Sequence, residues 1–358
     1  MSVACHPCSD FMTTRSWRAA RFMTTVSRDD RRYAGRVARR VVFVLGLVSA
    51  LGTILLVVHA LANRAGGSGA GVPVSTTHEE STDLYGHPQP VTIEGYSGRA
   101  MEPFIASDGK TLFFNNSNEP GVDTNLHLAT RLRPNAFRHV GELTGANSPV
   151  LDAVPSMDLD GRFYFTTVRQ YERDRKSIFS GRFRNGLLED VHAVEGTLTP
   201  AVPGWINMDV GISPDGRTMY ISRARFEAGI PVPRESDLMV GVRTGDTFSI
   251  DPRSQDLLAN VNTPALEYAP AISTDGLELY FTRASGLGTG RAEDVRLRIM
   301  VARRRRGDVP FDVPRVLDRL TGYVEAPSPS LDGNEMFFHK KVDGTFAIYR
   351  AERHGSSR

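Results

Sequence analysis

Cysteine is all but missing from this chain of 358 residues: Cys5 and Cys8 are the only two, in a Cys-His-Pro-Cys run at the N-terminus. Two thiols and His6 fall short of a four-ligand zinc site, and no second cysteine pair exists to complete one. Everything after residue 8 lacks cysteine, so no disulfide supports it and stability must come from packing. A Gly-x-Ser-x-Gly nucleophile elbow is also absent. Gly286-Leu-Gly-Thr-Gly290 has no following Lys-Ser/Thr, so it reads as a strand–strand loop rather than a phosphate cradle. The nine histidines, His127, His139, His192 and His339 among them, show no metal-ligand spacing. No metal site and no cofactor are expected from these residues.

Charge is unevenly spread. Residues 1–40 carry nine arginines against three aspartates, whereas 65–358 hold 33 basic and 38 acidic residues, a formal net of −5. A mildly acidic body argues against nucleic acid as a partner. Arg303-Arg-Arg-Arg306 reads as a solvated hairpin. Between the basic arm and the acidic body, Val41–Ala62 is a run of 22 residues without a formal charge. That is long enough to cross about 30 Å of hydrocarbon. Arginines on its N-terminal side put the N-terminus in the cytoplasm and the rest outside. The expectation is an uncleaved signal anchor at 41–62 behind a cytoplasmic arm at 1–40; cleavage after Ala62 is the alternative, and Met23 is a second possible start. Residues 63–89, opening with Ala65-Gly-Gly-Ser-Gly-Ala-Gly-Val72, read as a flexible linker.

What is there, from about Pro90 to residue 354, is a repeat. Five times a strand of small residues meets an Asp-Gly turn and leaves as a bulky apolar strand. The turns are Asp108-Gly109, Asp160-Gly161, Asp215-Gly216, Asp275-Gly276 and Asp332-Gly333, at steps of 52, 55, 60 and 57 residues. A period just above 50 in strand-rich units means propeller blades. The second strands (Leu112-Phe-Phe114, Met219-Tyr-Ile221, Leu279-Tyr-Phe281, Met336-Phe-Phe338) are apolar at consecutive positions, as sheets covered on both faces require. Phe163-Tyr-Phe165 follows its turn one residue sooner, which predicts a tighter hairpin. The last repeat ends at its third strand, and Pro90–Gly95 is left to supply the fourth and close the ring. The fold class is therefore all-β, a five-bladed β-propeller of four-stranded blades behind one N-terminal transmembrane helix.

These residues resemble the WD40-like repeat of TolB-type propellers of the bacterial envelope. The fourth repeat carries the fullest match: Asn262-Thr263, Glu267-Tyr-Ala-Pro270, Ser273-Thr-Asp-Gly276, Leu279-Tyr-Phe281 and Val301-Ala-Arg303. The second keeps Asn147-Ser148, Asp152 and Pro155, while Val210 replaces the proline in the third. Five repeats differ from the six blades of TolB, so the resemblance implies a scaffold and not its docking surfaces.

An acidic residue precedes every first strand: Glu102, Asp152, Asp209, Glu267 and Glu325. Near a channel mouth they are candidates to bind sugar hydroxyls or a divalent cation, or else to accept hydrogen bonds from neighbouring blades. Trp205 is a candidate to stack on a sugar or anchor a partner, or to fill a gap between blades. The expected function is a non-catalytic module at the inner membrane that binds an envelope protein or glycan. The alternative is a glycan-active enzyme using Glu102, Asp209 and Glu267.

Overall fold

The computed structural model describes residues 79–118, 123–227, 230, 232–287 and 291–355. The basic arm, the apolar run at 41–62 and most of the linker lie outside the described residues. Among those described, no helix is long and apolar enough to cross a membrane.

Three short strands come first among the described residues: β1 (Ser81–Thr82), β2 (Gln89–Pro90) and β3 (Thr92–Glu94). Blade 1 follows as β4 (Met101–Ile105), β5 (Thr111–Asn115), β6 (Leu126–Arg133) and β7 (Ala136–Glu142). Blade 2 is β8 (Asp152–Met157), β9 (Arg162–Thr167), β10 (Ile178–Arg184) and β11 (Leu187–Ala193). Blade 3 comprises β12 (Trp205–Ile212), β13 (Thr218–Arg225), β14 (Glu235–Thr244) and β15 (Thr247–Ile250). Blade 4 comprises β16 (Leu266–Ile272), β17 (Glu278–Ser285), β18 (Arg296–Arg303) and β19 (Arg315–Leu317). Blade 5 has three strands of its own, β20 (Tyr323–Pro329), β21 (Glu335–Val342) and β22 (Thr345–Glu352).

The ring closes as the unfinished last repeat demands: β2 pairs antiparallel with β22, Gln89 opposite Arg350 and Pro90 opposite Tyr349. The rest of Pro90–Gly95 departs from expectation. Thr92–Glu94 leaves blade 5 and runs parallel to β7 on the outer edge of blade 1. The propeller also begins earlier than Pro90, because Ser81–Thr82 lies parallel to β19 and Tyr85 is buried beside Tyr280. Residues 81–94 thus strap three successive blades along their outer edges. Tyr85 explains the earlier start, since a phenolic ring is too large an apolar surface to leave in a solvated linker.

Consecutive apolar residues in each second strand have a simple spatial cause. The middle residue of each triplet points into the next blade, where the outer two residues of that blade's triplet wait. Phe113 packs with Phe163 and Phe165, Tyr164 with Met219 and Ile221, and Tyr220 with Leu279 and Phe281. Tyr280 packs with Met336 and Phe338, and Phe337 returns to Leu112 and Phe114. Five equivalent interfaces bury both faces of every sheet, so alternation of polar and apolar residues is lost.

At the turns, Asp108 Oδ1 accepts the N–H groups of Lys110 and Thr111 at 2.7 and 2.8 Å, and Gly109 takes φ +63°. Blade 2 has the tighter hairpin: Met157 faces Phe163, where Ile105 faces Leu112 in blade 1. There the capping acid is Asp158, accepting from Asp160 N and Arg162 N at 3.0 and 2.8 Å, so the Asp160 side chain is relieved of the role its position predicts.

Candidate functional site

Four of the five inner strands share a local device. In each of them a residue with positive φ precedes a proline: Glu102 (φ 48°), Val154 (57°), Ala269 (50°) and Ala326 (56°), before Pro103, Pro155, Pro270 and Pro327. Proline has no N–H for the ladder and keeps its predecessor out of the right-handed helical region, so the strand bulges there. Blade 3, with Val210 in place of proline, has only the shorter irregularity between Asn207 and Asp209.

Each bulge frees the amide of the positive-φ residue, and a side chain of the preceding blade receives it. Val154 N donates to Asn115 Oδ1 (3.3 Å), Ala326 N to Thr282 Oγ1 (3.0 Å), and Glu102 N to His339 Nδ1 (3.0 Å). Ala269 N donates to Asp209 Oδ2 (3.0 Å). Asn115, Thr282 and His339 all occupy the position immediately after the apolar triplet. Sequence reading passed over them, although the switch from bulky apolar to polar at that position recurs in all five repeats as Asn115, Thr166, Ser222, Thr282 and His339.

The five predicted acids separate into two groups. Asp152 and Glu267 lie eight residues before their turn aspartates and form clamps within the scaffold. Asp152 accepts from Ser148 Oγ at 2.7 Å and pairs with Arg169 at 2.5 Å. Glu267 accepts from Thr263 Oγ1 at 2.6 Å and pairs with Arg283 at 2.8 Å. Arg283 also donates to Val261 O at 2.8 Å and lies 5.5 Å from the Phe281 ring centroid. Asn207 fills the same position in blade 3, held by Arg223 Nε at 3.1 Å. Burial lifts the Glu267 carboxyl to about 7 even against Thr263 and Arg283.

Glu102, Asp209 and Glu325 form the other group, close enough for their charges to act on one another. The structure therefore brings Glu325, and not Glu267, together with Glu102 and Asp209. All three are buried. Asn118 Nδ2 donates to Glu102 Oε1 at 2.8 Å, while Glu102 Oε2 is buried with no hydrogen-bond partner. Glu325 Oε2 lies 3.1 Å from His339 Nε2, and its Oε1 accepts the Tyr268 hydroxyl. Since His339 Nδ1 accepts an amide, its Nε2 carries the proton and donates to Glu325. Burial raises the Glu102 carboxyl, and the Glu325 charge adds to that against the pull of His339. Asp209 is pushed up to about 7 by burial first and the Glu102 charge second. Tyr268 and Tyr323 are both raised by burial and by Glu325.

Trp205 stands apart, half-buried at the start of β12, with its carbonyl accepting the Tyr171 hydroxyl at 2.9 Å. On the axis, the inner strands line a cavity of about 80 Å³ (the space open to the centre of a water molecule). It runs from the turn residues Leu159 and Leu331 to Glu102. Among the described residues, no group of three His, Cys, Asp or Glu side chains is placed to hold a metal ion.

No protein-family model matches the chain, and no curated protein matches it. Solved structures do. TolB from Acinetobacter baumannii is 14% identical with a TM-score of 0.38; the match covers 73% of this chain and 56% of that one, so the chain spans little more than half of TolB. A family 117 glycoside hydrolase of the marine bacterium Zobellia galactanivorans is 11% identical with a TM-score of 0.50, covering 76% and 91%. An α-L-arabinofuranosidase from Podospora anserina is 11% identical with a TM-score of 0.45, covering 77% and 98%. The fold is a five-bladed propeller similar to TolB-type propellers, and at these identities the likeness speaks to fold alone.

Proposed function

We propose that this chain is a membrane-anchored, extracytoplasmic propeller that binds a protein or glycan of the cell envelope and performs no chemistry. The carrying observation is the size of the axial cavity. At 80 Å³ it has room for roughly five to eight water-sized groups, counting about 10–15 Å³ for each. A sugar ring with its hydroxyls needs more, so a glycan would be held outside the axis, where residues 79–82 with β17, β18 and β19 line a hollow of about 1390 Å³. Asp209, Asp152 and Glu267 are engaged by a bulge amide or by arginines, which is a scaffold's use of carboxylates. The anchor at 41–62 and the linker after it motivate the membrane location.

One observation favours the enzymatic alternative: Glu102 and Asp209 both hold their protons unusually tightly within one field, as acid–base pairs do. In this reading Glu325 replaces Glu267 as the third acid. The test is to give full-length protein a panel of aryl glycosides and, separately, to use it as bait in envelope extract and on glycan arrays. Capture of a discrete envelope protein or glycan without turnover is expected. Turnover that disappears in Glu102→Gln and Asp209→Asn would overturn the binding reading.

A further inference from the structure

The hollow on blade 4 lies along an unfinished sheet edge. β18 has eight residues, but β19 pairs with only Met300 and Val301 of it, so the outer edge from Arg296 to Ile299 meets no further strand. β1 runs parallel to β19 and adds Glu79 and Glu80 to the lining. The volume of about 1390 Å³ exceeds the roughly 300–1,000 Å³ that encloses a drug-sized molecule. No aromatic side chain is among the described lining residues, which leaves recognition to charge and hydrogen bonds. Five arginines line the hollow: Arg283, Arg296, Arg298, Arg303 and Arg315. Three are matched by carboxylates, Arg283 by Glu79 at 3.1 Å, Arg315 by Glu80 at 3.0 Å and Arg303 by Glu278 at 2.9 Å. Arg296 and Arg298 have no carboxylate partner among the described residues. Half-buried Arg298 donates to Leu297 O at 3.3 Å, and Arg296 Nη1 donates to the backbone carbonyls of Glu293 and Val295. Of the lining acids, Asp294 faces Arg291 at 3.6 Å, so Asp312 alone stands against these two cations.

We infer that this hollow binds an acidic glycan, a uronate-bearing chain whose carboxylates are taken by Arg296 and Arg298. The inference rests on the binding-module reading and names its ligand class. A guanidinium carries five N–H donors in a planar fork that matches a carboxylate with two parallel bonds. Both arginines meet only backbone carbonyls, so most of their donors are left for a ligand. Two apart on one strand, they rise from the same face roughly 6.6 Å from each other, a spacing that lets each take its own carboxylate. On a body with a formal net charge of −5 these spare cations are a local exception. A neutral glycan would leave them without counter-charge, and a single small anion would leave most of the hollow to water. A chain of acidic sugars answers both the charge and the volume, with Ser81 and Ser285 in the same lining to meet its hydroxyls.

Calorimetric titration of the full-length, detergent-solubilised protein with hexagalacturonate tests this, with its methyl ester as the same chain without charge. Hexagalacturonate is expected to bind, and the ester at least tenfold more weakly. Arg296→Gln and Arg298→Gln should each weaken hexagalacturonate several-fold and together at least tenfold, with near-UV circular dichroism reporting that the double variant is folded. Arg184→Gln, at an exposed arginine of blade 2, should leave the affinity unchanged. Equal binding of the ester, equal binding of a polyphosphate of matched charge, or indifference to the double substitution would overturn the assignment. No binding of hexagalacturonate at millimolar concentration would overturn it as well; if an envelope protein or a neutral glycan is still captured, the binding module stands without it.

Discussion

His339 joins blade 5 to blade 1 by accepting the Glu102 amide on its Nδ1 at 3.0 Å, while its Nε2 lies 3.1 Å from Glu325 Oε2 in its own blade. One fully buried imidazole thus satisfies a bulge amide and a carboxylate at the point where the ring closes. Removing it strands both. His339→Ala is expected to lose about 3 kcal/mol in urea unfolding, from two unpaired polar groups plus the lost ring. A loss under about 1 kcal/mol would mean that water replaces the imidazole and that the bridge is dispensable.

Asp209 makes stability depend on pH in a direction opposite to ordinary acid denaturation. Its folded carboxyl titrates at about 7 instead of the usual 3.8. The native state therefore binds a proton more tightly than the unfolded chain, and this contribution is complete below about pH 4 and is lost as pH rises to about 7. Asp209→Asn keeps an oxygen for Ala269 N and cannot ionise. The variant should gain on the natural protein by a few kcal/mol between pH 4 and 8, since three pKa units correspond to about 4 kcal/mol at most. Thermal melts of both proteins across that range check it; parallel curves would rule it out. Glu267, also near 7, adds the same slope to both proteins and cancels in the comparison.

The Glu267–Arg283 clamp is a buried pair with 0% and 9% side-chain exposure. Arg283→Met leaves the carboxylate without its cation and should cost about 3–5 kcal/mol at pH 8, less at pH 5 where Glu267 can take a proton. Adding Glu267→Gln should restore much of the loss. A double variant as unstable as the single one would show that packing of the guanidinium over Phe281, and not its pairing with Glu267, holds the blade.

Two glycines should respond very differently to alanine. At Gly211 a Cβ would stand 2.2 Å from Pro270 O on the neighbouring inner strand, so the strands must part. About 3 kcal/mol of destabilisation is expected there. Gly109 has open space around it but φ +63°, which leaves only the left-handed strain of about 1 kcal/mol. Similar losses at the two sites would argue that the inner strands do not approach so closely.

Sequence alone determined the blade count, the hairpin turns, the shorter hairpin of blade 2 and closure of the last blade by a strand ahead of the first repeat, although it placed that strand at Pro90–Gly95 where the structure uses Gln89–Pro90. All of these follow from local rules: Asp-Gly chemistry, the length of the repeat, and the need to leave no sheet edge open. Tertiary structure decided which acids meet. Glu102 and Asp209 stand six residues before their turns, Glu325 seven, and Asp152 and Glu267 eight. Successive side chains on a strand point to opposite faces, and a bulge shifts that alternation by a residue. Which way an acid points therefore depends on where its own bulge falls relative to the neighbouring blade. That relation spans some 50 to 60 residues of chain and is written in no local pattern, so Glu325 joined Glu102 and Asp209 while Glu267 turned to Arg283.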